Sequence, residues 1–299
     1  MKKYKICKIL LVILAIFLCV AFYELLGICV AYKKQPEVSN TTKKETKNGS
    51  WNECSENTER AVIIEKNPEA LLQRVRLIKN AKKEIILSTF AFQSDESGKL
   101  ILGALHDAAD RGVHIRLLVD GMESWIDMEG NPYFYGLSSH ENVEIKLYNK
   151  ANPLKPWKIM GRMHDKYLIA DGKRYILGGR NTYNYFLGDF PGHKNYDRDV
   201  LVVCDEPEKE NSVNQLLEYF ETIWEQEDSG YFHDNKKLAN RKSVKNAVLE
   251  LQNGYQKYFE ENKERICDTD YTDETFETEK IALVSNPIHT GSKEPVVWY

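Results

Sequence analysis

The residues best suited to chemistry lie in one stretch of the chain, MHDKYLIADGKRYILGGRN, which runs from Met163 to Asn181. His164 and Lys166 are two positions apart, so an extended backbone would direct both side chains to the same side. An imidazole can attack phosphorus, while an ammonium and an amide hold the oxygens of a phosphate as charge shifts in the transition state. The stretch therefore favours a phosphate site in which His164 does the covalent chemistry.

The same stretch predicts the element that positions these groups. Asp171 and Gly172 are a turn signal between two β-prone runs, so we expect a β-hairpin. Gly179 follows the second run and, without a Cβ, allows a close approach of the backbone to a ligand. We expect Gly179 to bind the phosphate together with Lys166 and Asn181.

The spacing of these residues resembles a known family signature. His164-x-Lys166, then Asp171, then Gly178-Gly179-x-Asn181, is similar to the HKD motif of the phospholipase D superfamily. The resemblance extends from about residue 61 to about residue 227 and is nearest to the cardiolipin-synthase-like branch.

This resemblance implies a set of roles. In such enzymes one histidine forms a phosphohistidine and another protonates the leaving alcohol, so His164 is the expected nucleophile or acid/base, and Lys166 binds phosphate oxygens. Neither a metal nor another cofactor is expected. An acidic residue that hydrogen-bonds the catalytic imidazole is expected at Asp199, with Asp197 as the alternative. Asp171 is counted among the catalytic residues, although an Asp before Gly in a tight hairpin also has a structural role.

Outside the motif, apolar patterns alternate between strands and helices. Strands are predicted at 61–64, 84–92, 113–119, 143–147 and 200–204, and helices at 68–78, 96–109 and 209–224. This order predicts a phospholipase D-like α/β sandwich, a mixed sheet flanked by helices. Two aromatic-rich loops, 121–140 and 149–162, are expected either to join the local core or else to line a pocket mouth or touch lipid at the membrane interface.

The N-terminus predicts a membrane segment. Lysines at 2, 3, 5 and 8 precede an apolar run, and a helix from Ile9 to Tyr32 would be about 36 Å long, enough to span a bilayer. We expect residues 1–8 to be a basic cytoplasmic N-terminus and residues 9–32 a single-pass transmembrane anchor in the cell membrane. The catalytic lobe would then be extracytoplasmic. A cleaved signal peptide is the alternative.

Composition also divides the rest of the chain. Residues 33–60 are polar and predict a linker, and residues 61–233 contain the predicted lobe. A charged helical and acidic linker is predicted at 234–279, and residues 280–299 begin like a second lobe that is cut short.

The function that these patterns favour requires a partner. The sequence has no second H-x-K, so the resemblance implies a second HKD lobe from a C-terminal half or from a homodimer partner. The other expected partners are a phospholipid substrate and the membrane, while a net charge of −4 counts against nucleic acid. The main hypothesis is a membrane-anchored phosphatidyltransferase or phosphodiesterase, with cardiolipin synthase as the specific candidate. The alternatives are an exported nuclease and a membrane-tethered binding module with an incomplete site.

Overall fold

The computed structural model describes residues 2–33, 59–158, 161–204, 211–233, 236–279 and 281–285. The strands within those ranges are β1 (Glu59–Ile64), β2 (Glu84–Thr89), β3 (His114–Asp120), β4 (Val143–Tyr148), β5 (Tyr167–Ala170), β6 (Arg174–Gly178), β7 (Asp199–Cys204), β8 (Ser229–Tyr231) and β9 (Phe276–Glu277). The helices are α1 (Lys2–Lys33), α2 (Asn67–Asn80), α3 (Glu96–Asp110), α4 (Gly121–Asp127), α5 (Pro132–Ser138), α6 (Ser212–Trp224), α7 (Lys236–Ala239), α8 (Lys242–Glu261) and α9 (Lys263–Cys267).

All of these strands form one mixed sheet in the order β8-β4-β3-β2-β5-β6-β7-β1-β9. Strands β2, β3 and β4 are parallel neighbours, whereas β5, β6, β7 and β1 are antiparallel neighbours. The two halves meet where β2 pairs with β5 in antiparallel register, with Ser88 opposite Tyr167. The residues just before β5 therefore lie beside the carboxyl end of β2.

Apolar side chains cover both faces of the sheet. Leu87 and Leu117 belong to the larger cluster, which helices α2, α3, α5 and α8 complete. The neighbouring residues Ile86 and Leu118 belong to a second cluster beneath α6. Successive residues of a strand face opposite sides, so β2 and β3 are apolar on both faces because both faces are covered. The predicted α/β sandwich is confirmed.

The first aromatic-rich segment is helical, not a loop. Asp120 caps α4 and Asn131 caps α5, each by accepting a hydrogen bond from a backbone N–H of the first turn. Phe134 is fully buried against Phe92, with 5.1 Å between ring centroids, whereas Trp125 is 65% exposed. Phe134 therefore takes the expected core role, and for Trp125, which lies at the surface, the role at a pocket mouth or in lipid contact stays a prediction.

The segment predicted as a charged linker packs on the lobe. Helix α8 buries Val244, Leu251 and Tyr255 in the larger cluster. Gly103 of α3 lies so close to α8 that a Cβ there would be 2.7 Å from the carbonyl oxygen of Leu251. The linker prediction is wrong for these residues, because the charged outer face of α8 dominates its composition and conceals a narrow apolar stripe.

The acidic part of that segment is also held against the lobe. Glu274 lies 2.8 Å from the guanidinium of Arg76 on α2, and β9 pairs with β1 at the edge of the sheet. Most of the predicted first linker, residues 34–58, and residues 286–299 of the predicted second lobe lie outside the described residues.

Helix α1 contains one candidate membrane span, Tyr4–Val30, which is 27 residues long. By length and composition it is long and apolar enough to cross a bilayer. The helix continues through Glu24 without interruption.

Candidate functional site

The site lies at one end of the central strands, where the parallel strand β2 neighbours the antiparallel strand β5. The extended residues from His164 to Lys166 run into β5 beside the carboxyl end of β2, and Leu177 of β6 pairs with Tyr167. The chain leaving β6 thus returns to the same edge, where Asn181 accepts a hydrogen bond of 3.2 Å from the backbone N–H of Ala91. The carboxyl edge of an α/β sheet is a common place for ligands.

His164 stands at the rim of this edge. It is exposed, and its ring makes an edge contact with Phe90, with 4.6 Å between centroids at an angle of 69°. Partial desolvation of the ring, followed by the positive charge of Lys166, lowers the pKa of His164 below its ordinary value of 6.5. The neutral imidazole, which is the nucleophilic form, is therefore favoured at neutral pH.

Lys166 is buried behind His164. It is 5% exposed, and its Nζ donates a hydrogen bond of 2.6 Å to the carbonyl oxygen of His164. Burial lowers the pKa of Lys166 to about 8, against the opposing charges of Asp165 and Asp197. At neutral pH the ammonium remains charged, in a place where water screens it little.

The ring of Phe90 lies close to two cations of the site, Lys166 and Arg162, and to the imidazole of His164. The Nζ of Lys166 lies 5.4 Å from the ring centroid of Phe90, and the guanidinium carbon of Arg162 lies 4.9 Å from it. These are cation–π distances, and the same ring meets His164 at its edge. Phe90 therefore fixes the relative positions of His164, Lys166 and Arg162.

Asp165 lies between the two motif residues and is fixed from another element. The hydroxyl of Tyr219 on α6 donates a hydrogen bond of 2.8 Å to Oδ2 of Asp165. Burial raises the pKa of Asp165 and also that of Tyr219. This bond holds the backbone of the motif against α6 while His164 and Lys166 remain at the edge.

Sequence reasoning missed Asp120, the residue that holds the segment before His164. Asp120 ends β3, is 1% exposed and accepts hydrogen bonds from the first turn of α4. It also accepts bonds of 2.9 Å from Nε of Arg162 and 3.0 Å from the backbone N–H of Met163. The available signal was an Asp at the carboxyl end of a strand, but nothing local connects it to a residue 44 positions later.

Comparison with known proteins identifies the family of the chain. A sequence model of the family described as "Cardiolipin synthase, PLD-like domain" matches residues 74–224, half of the chain. The chain belongs to the phospholipase D-like family. This family assignment covers β2 to α6 and so includes the whole edge of the sheet that carries His164 and Lys166.

Curated relatives have similar sequences over part of their length. An uncharacterized protein of Helicobacter pylori (strain J99) is 30% identical over 66% of this chain and 39% of its own. Cardiolipin synthase C of Escherichia coli K12 is 29% identical over 52% of this chain and 34% of its own, and cardiolipin synthase 1 of Staphylococcus aureus (strain MRSA252) is 34% identical over 39% and 23%. The chain thus spans about two fifths or less of the length of these relatives.

Two solved structures resemble part of this chain at low sequence identity. A phosphatidylserine synthase of Haemophilus influenzae gives a TM-score of 0.49 with 18% identity, over 74% of this chain and 48% of its own. NucT of Helicobacter pylori gives 0.46 with 18% identity, over 58% of this chain and 99% of its own.

Asp171 of the phospholipase D-like motif lies outside the site. Its carboxylate accepts hydrogen bonds of 2.7 to 3.1 Å from the backbone N–H groups of Lys82, Lys83 and Glu84. Its φ of 54° places it in the left-handed turn that ends β5, at the opposite end of that strand from His164. These bonds support the alternative structural role of Asp171, and its catalytic role stays a prediction.

Gly179 packs closely against the chain that enters β7. Its backbone N–H donates a hydrogen bond of 3.3 Å to the carbonyl oxygen of Arg198. A Cβ at Gly179 would lie 2.0 Å from a carboxylate oxygen of Asp197. The position therefore has a packing reason to lack a side chain, and the phosphate contact of Gly179 stays a prediction.

Asp199 is a buried ion-pair partner. Its Oδ2 lies 2.9 Å from Nη1 of Arg74 and 3.2 Å from Nη1 of Arg180, and all three side chains are buried. These contacts join β7 to α2 and to the segment after β6, so the described bonds of Asp199 are structural and do not match its expected role beside the imidazole. Of the two candidates, Asp197 is the one whose charge acts on the site, through Lys166.

Proposed function

We propose that the chain is one catalytic half of a membrane-anchored phospholipase D-like enzyme that cleaves or transfers phospholipid phosphodiesters, with cardiolipin synthase as the specific activity. The observation that carries this proposal is the pairing of a rim imidazole, His164, with a desolvated ammonium, Lys166, on one short extended segment. A nucleophile that is neutral near pH 7 beside a cation that is charged at that pH suits attack on an anionic phosphodiester.

The proposed reaction has two steps. An imidazole nitrogen of His164 attacks phosphorus, the bond from phosphorus to the leaving alcohol oxygen breaks, and that oxygen takes a proton from the histidine of a second HKD lobe. An incoming hydroxyl, from water or an alcohol, then gives its proton back to that histidine and attacks the phosphohistidine, which releases His164. If the two histidines exchange roles, His164 is the acid/base and the balance of atoms is the same.

The non-bridging oxygens of the phosphate need positive partners throughout. Lys166 supplies an ammonium, and the NH2 group of Asn181 supplies a neutral donor. The amide of Asn181 is oriented by its oxygen, which accepts a hydrogen bond from the backbone N–H of Ala91. Because these groups are held before the substrate binds, they stabilise the charge in the transition state without reorganisation. No step in this scheme uses a metal or another cofactor.

Three features support a lipid substrate and a membrane location. The span Tyr4–Val30 is long and apolar enough for a single-pass anchor, the relatives named above include cardiolipin synthases, and the net charge of −4 disfavours nucleic acid. The basic residues before the span favour a cytoplasmic N-terminus and an extracytoplasmic lobe. The second HKD lobe comes from a C-terminal half or from a second copy of this chain.

Trapping the covalent intermediate tests the proposal. The full chain in native membranes is incubated with phosphatidylglycerol that carries a labelled phosphate and, separately, with labelled single-stranded DNA, and is then quenched. We expect an acid-labile label on His164 from the lipid only. His164→Ala should abolish it, whereas His114→Ala, at the opposite end of the sheet, should leave it unchanged. Label from DNA would favour the nuclease, and label from neither substrate would favour a binding module.

A further inference from the structure

Three large apolar side chains of the lobe are exposed although neighbouring aromatics are buried. Trp125 is 65% exposed, Ile126 is 64% exposed and Leu154 is 77% exposed. Trp125 and Ile126 are on α4, and Leu154 is in the segment between β4 and β5. We refer to Trp125, Ile126 and Leu154 as the docking surface.

The segment that carries Leu154 contacts the carboxyl-terminal third of α1. The hydroxyl of Tyr23 donates a hydrogen bond of 2.8 Å to the carbonyl oxygen of Leu154. A Cβ at Gly27 would lie 2.3 Å from Cγ of Pro156, so the absence of a side chain at position 27 permits the contact. This part of the docking surface is therefore next to the membrane helix.

Helix α4 also lies beside α1. A cavity of about 200 Å³ is lined by Glu24 of α1, Met122 of α4 and Lys150. Residues three and four apart share a face of a helix, so Trp125 and Ile126 extend the face that begins at Met122. The exposed apolar side chains of α4 thus share a face with Met122, which lines a cavity together with Glu24 of α1.

The length of α1 determines how deep in a bilayer the contacts between α1 and the lobe would lie. Residues 4–20 are exposed on all sides, whereas Ala21, Glu24, Gly27 and Ile28 are partly or fully covered. If the hydrocarbon begins at Ile9, after the last of the N-terminal lysines, 20 residues end at Ile28 and rise about 30 Å, which is the thickness of the hydrocarbon core. The contact of Gly27 with Pro156 then lies at the boundary with the headgroups, and Glu24 lies about one helical turn inside that boundary.

The charge and side-chain types of the lobe near α1 suit that level. Trp is favoured at the membrane interface because its ring is apolar and its N–H is polar. Lys150 and Lys155 line the same cavity as Glu24, and cations at this depth are attracted to anionic headgroups.

We propose that the docking surface inserts into the headgroup layer of the anionic bilayer that α1 spans. The inference rests on the placement of α1 across a membrane in the proposed function. Insertion of the docking surface also fixes the distance of the site from the bilayer, because Asp120 caps α4 and accepts a hydrogen bond from the backbone N–H of Met163, next to His164. The bilayer thereby positions the nucleophile at the level where a lipid phosphate lies.

Fluorescence of Trp125 tests the docking surface without any need for turnover. The full chain is reconstituted into vesicles of phosphatidylglycerol and phosphatidylcholine, and the emission of Trp125 is taken as the difference between the wild type and Trp125→Phe. We expect brominated lipid to quench this emission and aqueous iodide to leave it largely unquenched. Combining Ile126→Ser with Leu154→Ser should weaken docking about tenfold, equivalent to about 1.4 kcal/mol, as read from the increase in iodide quenching.

A matched control and a flotation assay separate the possible failures. Leu249→Ser replaces an exposed leucine on α8 and should not change the quenching. If the chain floats with the vesicles but iodide quenches Trp125 freely, the docking surface is refuted and the anchor stands. If the chain does not float, the anchor itself fails, and the docking surface fails with it. Protection from iodide that depends on protein concentration, without quenching by brominated lipid, would assign the surface to a second copy of the chain and overturn the inference.

Discussion

Replacing Lys166 by methionine is expected to stabilise the lobe while it removes phosphate binding. Burial lowers the pKa of Lys166 to about 8 from its ordinary 10.5. At 1.36 kcal/mol per pKa unit, the charged lysine carries a penalty of about 3 kcal/mol in the folded state. Methionine of similar length avoids this penalty but loses the hydrogen bond to the carbonyl of His164, worth about 1 kcal/mol. The expected net gain is about 2 kcal/mol near pH 7.

The pH dependence identifies the cause of this gain. Between pH 8 and 10.5 the folded state releases the proton of Lys166 before the unfolded state does, so the free energy of unfolding of the wild type rises with pH in that window. Methionine does not titrate. The advantage of Lys166→Met is therefore full below pH 8 and disappears as the pH approaches 10.5.

Thermal unfolding of the full chain in detergent measures the effect. For a lobe of this size a gain of about 2 kcal/mol corresponds to an increase in Tm of roughly 4 to 8 °C. Lys83→Met, at an exposed lysine, is the control and should change stability by less than about 0.5 kcal/mol. In parallel, binding of inorganic phosphate to the wild type should weaken as the pH rises through about 8, and the variant should not bind it. A destabilised Lys166→Met, or an advantage that persists at pH 10.5, would refute the desolvation argument.

Three further substitutions test other parts of the structure. Asp171→Ala should cost about 1 to 2 kcal/mol in urea unfolding, because three backbone N–H groups lose their acceptor, with turnover per folded molecule unchanged; a selective loss of turnover would support its catalytic role. Asp199→Asn should cost about 3 kcal/mol or more, since it leaves Arg74 and Arg180 buried without a counter-charge; unchanged stability would contradict the described ion pairs. Gly103→Ala should cost about 1 to 3 kcal/mol through its clash with α8, whereas a free linker there would tolerate it.

The sequence was most informative where the chemistry is local. His164 and Lys166 are two residues apart, so their spacing alone brings them together. The Asp171-Gly172 turn connects β5 to β6 and so fixes the hairpin. The alternation of apolar runs also predicts the sandwich, because strands covered on both faces must be apolar throughout.

The sequence was least informative where distant residues meet. Asp120 holds Met163 across 43 positions, and Arg74 meets Asp199 across 125, so no local pattern shows either contact. The resemblance placed Asp199 beside the imidazole, and nothing in the sequence indicated that its Oδ2 pairs with two arginines. The packing of Gly179 was hidden in the same way, because the atoms beside it come from the chain that enters β7.

The close contact between Gly27 and Pro156 has a consequence for how the membrane helix can be exchanged. A generic apolar helix such as polyleucine would keep the lobe at the bilayer, but its side chain at this position would wedge the lobe away from the helix. Helix α1 is therefore part of the tertiary structure as well as the proposed membrane anchor. Chimaeras that transplant the lobe onto another span should keep a residue without a side chain at this crossing point.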